Sequence, residues 1–307
     1  MRAFSIFDDF PESSISILRK KGVEVDVLPK GQERPSGLEL EALLSEYDIL
    51  FISTAQVIPE ELFLGINSPR IIGTASSGVD HIHIPSNKSD LIKVVNAAEA
   101  NRITVAEHIF ALILTLSKNL IEGRKIALAG KTKKELASLP KDLVGSTIGV
   151  VGAGSIAGTV LKMASSFGMK RLCWTPHPDS HNDLKSDGVF FVNIDELIHN
   201  SDIVSISIPL SKLTTNLINS DRISLLKEDA VFVSTSRSEV VDLVALFEKA
   251  RHNQSFRVGL DVDVNKVNGL WTEDMDNVIV TPHIGGSTVE SRIRLFDECA
   301  YNVVSLL

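Results

Sequence analysis

The sequence predicts an α/β protein that contains two doubly wound parallel sheets. Short β-branched or apolar runs alternate with helical patterns from the first residues onwards, and such alternation indicates parallel strands with helices on both faces. The alternation occurs once before and once after a glycine-rich turn at residues 152–157. A length of 307 residues also exceeds what one hydrophobic core usually fills. We therefore expect two domains.

In the first half, apolar runs predict four strands with helices between them. The predicted strands are residues 1–7, 23–28, 48–52 and 70–74. The predicted helices are residues 11–21, 38–45 and 59–65. The fourth strand ends in a turn of small residues. That turn is either an ordinary end of a strand or a concavity in which the N–H groups of Ser76, Ser77 and Gly78 bind an anion.

Residues 101–119 are the strongest predicted helix in the chain. Glu107 and His108 interrupt its apolar pattern early, but residues 109–114 are apolar on nearly every face. A helix of this kind must be buried, either in a core or between subunits. The lysine-rich polar segment 123–140 is expected to be a linker or arm that leads into the second half.

The second half repeats the alternation and ends in a helix. The predicted strands are residues 146–151, 171–175, 203–207, 231–235, 258–262 and 277–280. The predicted helices begin after the glycine turn and continue at residues 193–200, 220–226, 242–253 and 287–307.

Composition excludes several classes of protein. The net charge of −8 comes without a basic stripe, which argues against a nucleic-acid partner. The longest apolar stretch, residues 109–116, is too short to span a membrane, and residues 1–7 lack the layout of a cleavable signal. The two cysteines, Cys173 and Cys299, are expected to be small buried side chains in a reducing compartment, so we expect a cytoplasmic protein. The histidines lack further ligands at suitable spacing, so we expect no metal.

The glycine turn has the pattern of a dinucleotide-binding site. A strand leads into Gly152-Ala153-Gly154-Ser155-Ile156-Ala157, and a helix follows, which is the context that gives this motif its meaning. Gly152 permits a tight turn, and Gly154 lets the backbone approach a pyrophosphate. Ala157 lets the helix lie close to the sheet. The N–H groups of the first helical turn, at Ser155 and Ile156, then face the phosphates.

The position that selects between the two nicotinamide cofactors carries an unusual residue. An acid that accepts the ribose 2′-hydroxyl is expected near the end of the next strand, where this chain has Thr175. Arg171 and His177 are nearby donors or cations. The expected cofactor is therefore NADP or NAD, with a slight preference for NADP.

Three polar residues stand at the ends of predicted strands, where open parallel sheets bind their ligands. They are Arg237, Asp261 and His283. An arginine grips a carboxylate with two hydrogen bonds and polarises an adjacent carbonyl. A histidine can give and take a proton near neutral pH. Each residue has an ordinary structural explanation by itself, but together with the glycine turn they predict one active site.

The chain resembles the D-isomer-specific 2-hydroxyacid dehydrogenase family over essentially its whole length. The resemblance is carried by ordered motifs in both halves: residues 71–80, 101–107, 152–154, 209–214, 233–242, 259–262 and 281–287. It implies a Rossmann nucleotide domain at residues 98–286 and a flavodoxin-like substrate domain at residues 1–97 and 287–307. It also implies that the helix at 101–119 forms a homodimer interface.

The resemblance further implies roles for individual residues. Arg237 would bind the carboxylate and carbonyl of a small 2-oxo or 2-hydroxy acid, with help from the amides of Ser77 and Gly78. His283 would be the acid and base. The expected cofactor contacts are Gly152, Gly154, Ser155, Ile156, Thr175, Pro209, Thr214, Thr235, Ser236, Asp261 and His283. Of these, Ser236 and Asp261 would lie near the nicotinamide, and Pro209 and Thr214 near the adenosine.

One position departs from the family pattern. The family places a glutamate, the partner of the catalytic histidine, where this chain has Lys266. Three explanations are open. Asp263 or Glu273 takes the place of the glutamate as the partner of His283, His283 works without a carboxylate partner, or turnover is feeble. The last option keeps a nucleotide-sensing binding protein as an alternative function.

The substrate is expected to lack a phosphate. Residues 52–56 contain no cation, whereas phosphoglycerate dehydrogenases of the family usually carry an arginine there. This favours an unphosphorylated acid such as glyoxylate, hydroxypyruvate or a lactate relative. Phosphoglycerate dehydrogenase stays a second alternative, because Arg102 or a neighbouring subunit could meet a phosphate.

Overall fold

The computed structural model describes residues 1–53, 56–68, 70–76, 78–79 and 81–307. The chain folds into two compact units. The first unit contains Met1–Asn101 and Ser287–Leu307, and the second contains Arg102–Gly286. Each unit is built around its own parallel sheet, as the sequence predicts.

The first unit contains a five-stranded sheet in the order β2-β1-β3-β4-β5. Its strands are β1 (Arg2–Ser5), β2 (Glu24–Val27), β3 (Ile49–Ile52), β4 (Arg70–Thr74) and β5 (Ile92–Val95). Its helices in this part of the chain are α1 (Glu12–Arg19) and α2 (Leu38–Glu46), and a short 3₁₀ turn covers Glu60–Phe63. All paired strands are parallel, and this strand order is that of flavodoxin-like folds.

The strands of the first sheet differ in burial, and this difference explains why some of them are easier to predict from the sequence than others. The central strand β3 is apolar throughout, and all four of its residues are buried because it lies between β1 and β4. The edge strand β2 alternates polar and apolar residues, which matches its one-sided burial. The other edge strand, β5, was not predicted, because only one of its four residues, Ile92, is buried.

The second unit contains a seven-stranded parallel sheet in the order β12-β11-β10-β9-β6-β7-β8. Its strands are β6 (Thr147–Val151), β7 (Lys170–Trp174), β8 (Phe190–Phe191), β9 (Ile203–Ile206), β10 (Val231–Ser234), β11 (Arg257–Asp261) and β12 (Val278–Thr281). Its helices are α3 (Arg102–Ser117), α4 (Leu120–Leu128), α5 (Ser155–Ser166), α6 (Asn182–Ser186), α7 (Ile194–Asn200), α8 (Ser220–Leu225) and α9 (Leu243–His252). The order 3-2-1-4-5-6 of the Rossmann fold is present, with β12 added at one edge.

The apolar helix α3 is buried inside the second unit. It packs against α5 and against strands β10 and β11, and nine of its residues are buried. The packing inside one unit therefore accounts for the apolar character that the sequence analysis assigned either to a core or to a subunit interface. Among the described residues no single helix is long and apolar enough to span a bilayer; α3 and α4, bent by 53°, meet that test only when taken together.

The linker prediction for residues 123–140 is wrong in its first part, where α4 continues to Leu128. The helix buries none of its residues, so it lacks the apolar stripe from which a surface helix is recognised in a sequence.

The chain ends in α10 (Val289–Val304), which belongs to the first unit. The helix packs on α1 and β4 and buries Phe296, Cys299 and Val303. Both cysteines of the chain are free and buried, as the sequence analysis expected. Burial raises the pKa of the Cys173 and Cys299 thiols to about 12, so both stay protonated at neutral pH.

Candidate active site

The register of the second sheet aligns the ends of its central strands. Val151 of β6 pairs with Ile206 of β9, which pairs with Ser234 of β10. Ser234 pairs with Leu260 of β11, which pairs with Val280 of β12. This row of paired residues marks the carboxyl edge of the sheet, where ligands of doubly wound folds bind.

The glycine turn begins directly beyond this row. Gly152 has a φ of 116°, and a Cβ atom at this position would overlap the backbone carbonyl of Ser207. Gly154 is extended, has open space where a Cβ would stand, and precedes the first turn of α5. Within the described chain no side chain caps this helix, so the N–H groups of Ser155 and Ile156 remain available to a phosphate. Ala157 is fully buried where α5 meets the sheet. These features fit a bound dinucleotide.

The two glycines should respond differently to substitution by alanine. Gly152→Ala is expected to destabilise the fold by about 3 kcal/mol, because it combines backbone strain at positive φ with overlap of a fixed carbonyl. Gly154→Ala should leave the melting temperature unchanged but weaken NAD(P) binding, since its Cβ enters only the space intended for the phosphates. Thermal unfolding and cofactor titration of both variants measure the difference. Equal melting temperatures of the two variants would contradict the assignment of Gly152.

The end of β7 lacks the acid that usually binds the ribose. Thr175 stands there, and its hydroxyl accepts a hydrogen bond from the His177 amide at 3.4 Å. Arg171 does not serve as a nearby cation, contrary to the sequence analysis. Its guanidinium is largely buried and pairs with the carboxylate and carbonyl of Asp187 and the carbonyl of Leu161. A cleft of about 610 Å³ opens beside Thr175. Its lining consists of Trp174, Thr175, Pro178, Phe191, Val192, Asn193 and Glu196.

The loops after β9 and β10 are held by side chains that the sequence analysis assigned to the cofactor site. The Thr214 hydroxyl donates to the Pro209 carbonyl at 2.7 Å and accepts from the Ser211 amide at 2.7 Å. The Ser236 hydroxyl donates to the Ile206 carbonyl at 3.1 Å. Each side chain therefore shapes a loop at the carboxyl edge. Contact between these side chains and a cofactor stays a prediction, as it does for the half-buried Thr235.

Arg237 and His283 both follow strands that end at this carboxyl edge. Each comes three residues after a member of the paired row, Ser234 or Val280, and β11 separates their strands. Two strand spacings correspond to about 10 Å, so the spacing of the two strands is compatible with contact of both residues with one small molecule. Arg237 is half-buried, whereas His283 is exposed.

The loop that carries His283 is fixed by the carboxylate of Asp261. One oxygen accepts from the Thr281 hydroxyl at 2.6 Å and from the Ile284 amide at 2.8 Å. The other accepts from the Gly285 amide at 2.7 Å. These bonds hold His283 at a φ of 54°, a left-handed conformation that costs energy in most residues other than glycine. Asp261 therefore shapes the loop that carries His283, and its role near the nicotinamide stays a prediction.

His108 is a site residue that the sequence analysis missed. Its Nε2 lies 3.0 Å from the Thr281 hydroxyl and 3.7 Å from an oxygen of Asp261. Its ring also packs on Gly285, where a Cβ would stand 3.2 Å from His108 Cδ2. The only signal in the sequence was that His108, together with Glu107, interrupts the apolar pattern of this helix.

Lys266, at the position of the family's glutamate, pairs with Glu239 at 3.1 Å. Both side chains are partly exposed. The Asp263 carboxylate accepts from the backbone and side-chain amides of Asn265 and so caps a 3₁₀ turn. Within the part of the chain that the structure describes, the His283 imidazole has no carboxylate partner, neither from Asp263 nor from Glu273.

The predicted substrate turn belongs to the first unit. Ser77 lies outside the described residues, so its predicted contact stays a prediction. The Ser76 hydroxyl donates to the Gly78 carbonyl at 2.6 Å and lies 2.9 Å from the hydroxyl of Thr74. These contacts lie directly after β4, and the predicted role of the Gly78 amide also stays a prediction.

The two doubly wound sheets and the glycine turn define a dinucleotide-binding protein of two α/β domains. Residues 110–285 match the family model described as "D-isomer specific 2-hydroxyacid dehydrogenase, NAD binding domain". The whole chain is 30% identical over 304 residues to a glyoxylate reductase of Pyrococcus furiosus, with 96% of this chain and 89% of that protein covered.

Two solved structures resemble the whole chain. An acyclic imino acid reductase in complex with NADPH and D-Arg has a TM-score of 0.85 at 26% identity, covering 100% of this chain and 97% of that chain. The D-lactate dehydrogenase of Aquifex aeolicus, complexed with NAD and lactic acid, has a TM-score of 0.79 at 28% identity, covering 100% of this chain and 95% of that one.

The chain therefore belongs to the D-isomer specific 2-hydroxyacid dehydrogenase family. The sequence-based predictions of the family, of an NAD(P)-dependent dehydrogenase and of its fold class are confirmed.

Proposed function

We propose that the protein interconverts a small, unphosphorylated 2-oxo acid and its D-2-hydroxy acid, with Arg237 and His283 as the residues that act on the substrate. The observation that carries this proposal is that each residue follows a member of the same paired row by three residues, at the carboxyl edge of one sheet. A protein that only binds nucleotide has no need of both groups. The glyoxylate reductase similarity supports an acid of two or three carbons.

Arg237 binds the substrate in this proposal. Its guanidinium holds the carboxylate with two parallel hydrogen bonds and polarises the adjacent carbonyl. The predicted part of the Ser77 and Gly78 amides in binding the substrate anion stays within this proposal.

His283 moves the proton. In reduction its imidazolium protonates the carbonyl oxygen, and in oxidation its neutral imidazole accepts the hydroxyl proton. The bound nicotinamide supplies the hydride in one direction and takes it up in the other. Asp261 holds the loop that carries His283 by accepting hydrogen bonds from the amides of Ile284 and Gly285.

The residues around the glycine turn hold the cofactor, which is NADP or NAD. The amides of Gly154, Ser155 and Ile156 face the pyrophosphate, and the cleft beside Thr175 receives the ribose. Thr175 neither binds a 2′-hydroxyl strongly nor repels a 2′-phosphate. We therefore expect the values of kcat/KM for NADPH and NADH to differ by less than about tenfold.

The cytoplasmic location and the homodimer also remain proposals. Two free buried thiols support a reducing compartment. Ile103, Leu120 and Ile121 are exposed apolar residues at the starts of α3 and α4, and these residues support self-association.

A panel assay tests the proposal and separates it from its alternatives. The protein is mixed with NADH or NADPH and with glyoxylate, hydroxypyruvate, pyruvate or 3-phosphohydroxypyruvate, and oxidation of the cofactor is followed by absorbance. We expect turnover of unphosphorylated acids and stereospecific formation of the D-product. Preference for the phosphorylated acid would favour a phosphoglycerate dehydrogenase. Cofactor binding without turnover of any acid would favour a nucleotide-sensing protein.

A further inference from the structure

We propose that His108 is a positioning residue, which fixes the loop of His283 through Thr281 and Asp261. The inference deepens the proposed function and rests on it for the catalytic role of His283. His108 itself lies in α3 and contacts Thr281, the last residue of β12, and Gly285, so it acts on His283 only through these neighbours.

The direction of the hydrogen bonds follows from the number of protons available. The Thr281 hydroxyl has one proton, and its 2.6 Å contact with the Asp261 carboxylate uses it. The same hydroxyl must then accept in its 3.0 Å contact with His108 Nε2. The Nε2 of His108 therefore carries a hydrogen, and a chain of donors runs from His108 through Thr281 to Asp261.

The carboxylate at the end of this chain is buried and depends on its donors. The Asp261 side chain is 3% exposed, so an unmade hydrogen bond there is costly. Its other two donors are the amides of Ile284 and Gly285, directly after His283. Loss of the His108 donor should weaken the whole arrangement, because linked hydrogen bonds polarise one another.

This support matters more here because the histidine lacks a carboxylate partner. Lys266 replaces the expected glutamate and is paired with Glu239. The exposed imidazole of His283 is therefore oriented by its backbone, which is held at positive φ. His108 also covers Gly285, so it contributes packing as well as a hydrogen bond.

Three variants separate these contributions. His108→Phe keeps a ring over Gly285 but removes the donor, His108→Gln keeps an amide donor near the position of Nε2, and Thr281→Val removes the middle of the chain. Steady-state kinetics, cofactor Kd, thermal unfolding and amide hydrogen exchange of residues 281–286 are measured for each variant. His199→Phe, on the exposed end of α7, is the matched control.

We expect His108→Phe to lower kcat roughly three- to tenfold, the range given by one net hydrogen bond, with KM and cofactor Kd within about twofold. Exchange of the Ile284 and Gly285 amides should speed up by a similar factor. His108→Gln should retain most of the kcat and most of the amide protection that His108→Phe loses. The double variant that combines His108→Phe with Thr281→Val should lose little more kcat than Thr281→Val alone, because both changes break the same chain of hydrogen bonds.

Other outcomes overturn the proposal. Unchanged kcat and exchange in His108→Phe would show that the bond does not position the loop. Equal losses in His108→Phe and His108→Gln would show that the donor is not the cause. If the wild-type protein turns over no 2-oxo acid, the proposed function fails, and the exchange measurements still decide whether His108 holds the loop.

Discussion

His283→Asn is expected to lower kcat roughly a thousandfold, the middle of the range for loss of a general acid and base. Asparagine is the appropriate replacement because it tolerates the left-handed conformation that position 283 adopts at a φ of 54°. The loop should therefore keep its shape, and KM should change little. We expect kcat and kcat/KM to fall together, as they do when an interaction of the transition state is lost. Steady-state reduction of the preferred 2-oxo acid measures the effect.

The control for this variant is His199→Asn, which alters an exposed histidine of α7. It should retain full activity and show that the histidine content by itself has no effect. A loss of less than about tenfold in His283→Asn, with NAD(P)H binding and melting temperature preserved, would exclude His283 as the acid and base.

Arg237→Gln is expected to lower kcat/KM for the 2-oxo acid by about a thousandfold, mainly through KM, because the substrate carboxylate loses its charged partner. Arg237→Lys should lower it by about ten- to a hundredfold, since lysine keeps the charge but cannot form two parallel hydrogen bonds. The diagnostic result is that kcat/KM falls further in Arg237→Gln than in Arg237→Lys. Kinetics over a wide range of substrate concentration, with cofactor Kd measured separately, establish it.

Arg19→Lys serves as the matched control, because Arg19 is an exposed arginine of α1 that pairs with Glu12. It should leave KM unchanged. An unchanged KM in Arg237→Gln would contradict a role in binding the carboxylate. A weakened cofactor Kd in that variant would instead point to Arg237 as part of the nucleotide site.

Much of the fold was predictable because its signals are local. The β-branched runs of the central strands, the caps at Asn193 and Asp242 and the glycine turn each depend on residues close together in the sequence. The strand-end residues Arg237 and His283 were also predictable, because parallel strands bring their carboxyl ends to one edge. Helix α4 and the edge strands β5 and β8 were not predictable, because they bury too little apolar surface to give a periodic pattern of apolar residues.

The sequence by itself determined a nucleotide fold, and it predicted the turn that would receive the pyrophosphate and the two side chains that would act on the substrate. Only the tertiary structure decided what supports them. Thr281 meets His108 across 173 positions of sequence, and Arg171 turns to Asp187 instead of the ribose. Such contacts depend on side-chain directions set by packing between distant elements. No local pattern encodes those directions, and therefore the support of His283 appears only when the chain is folded.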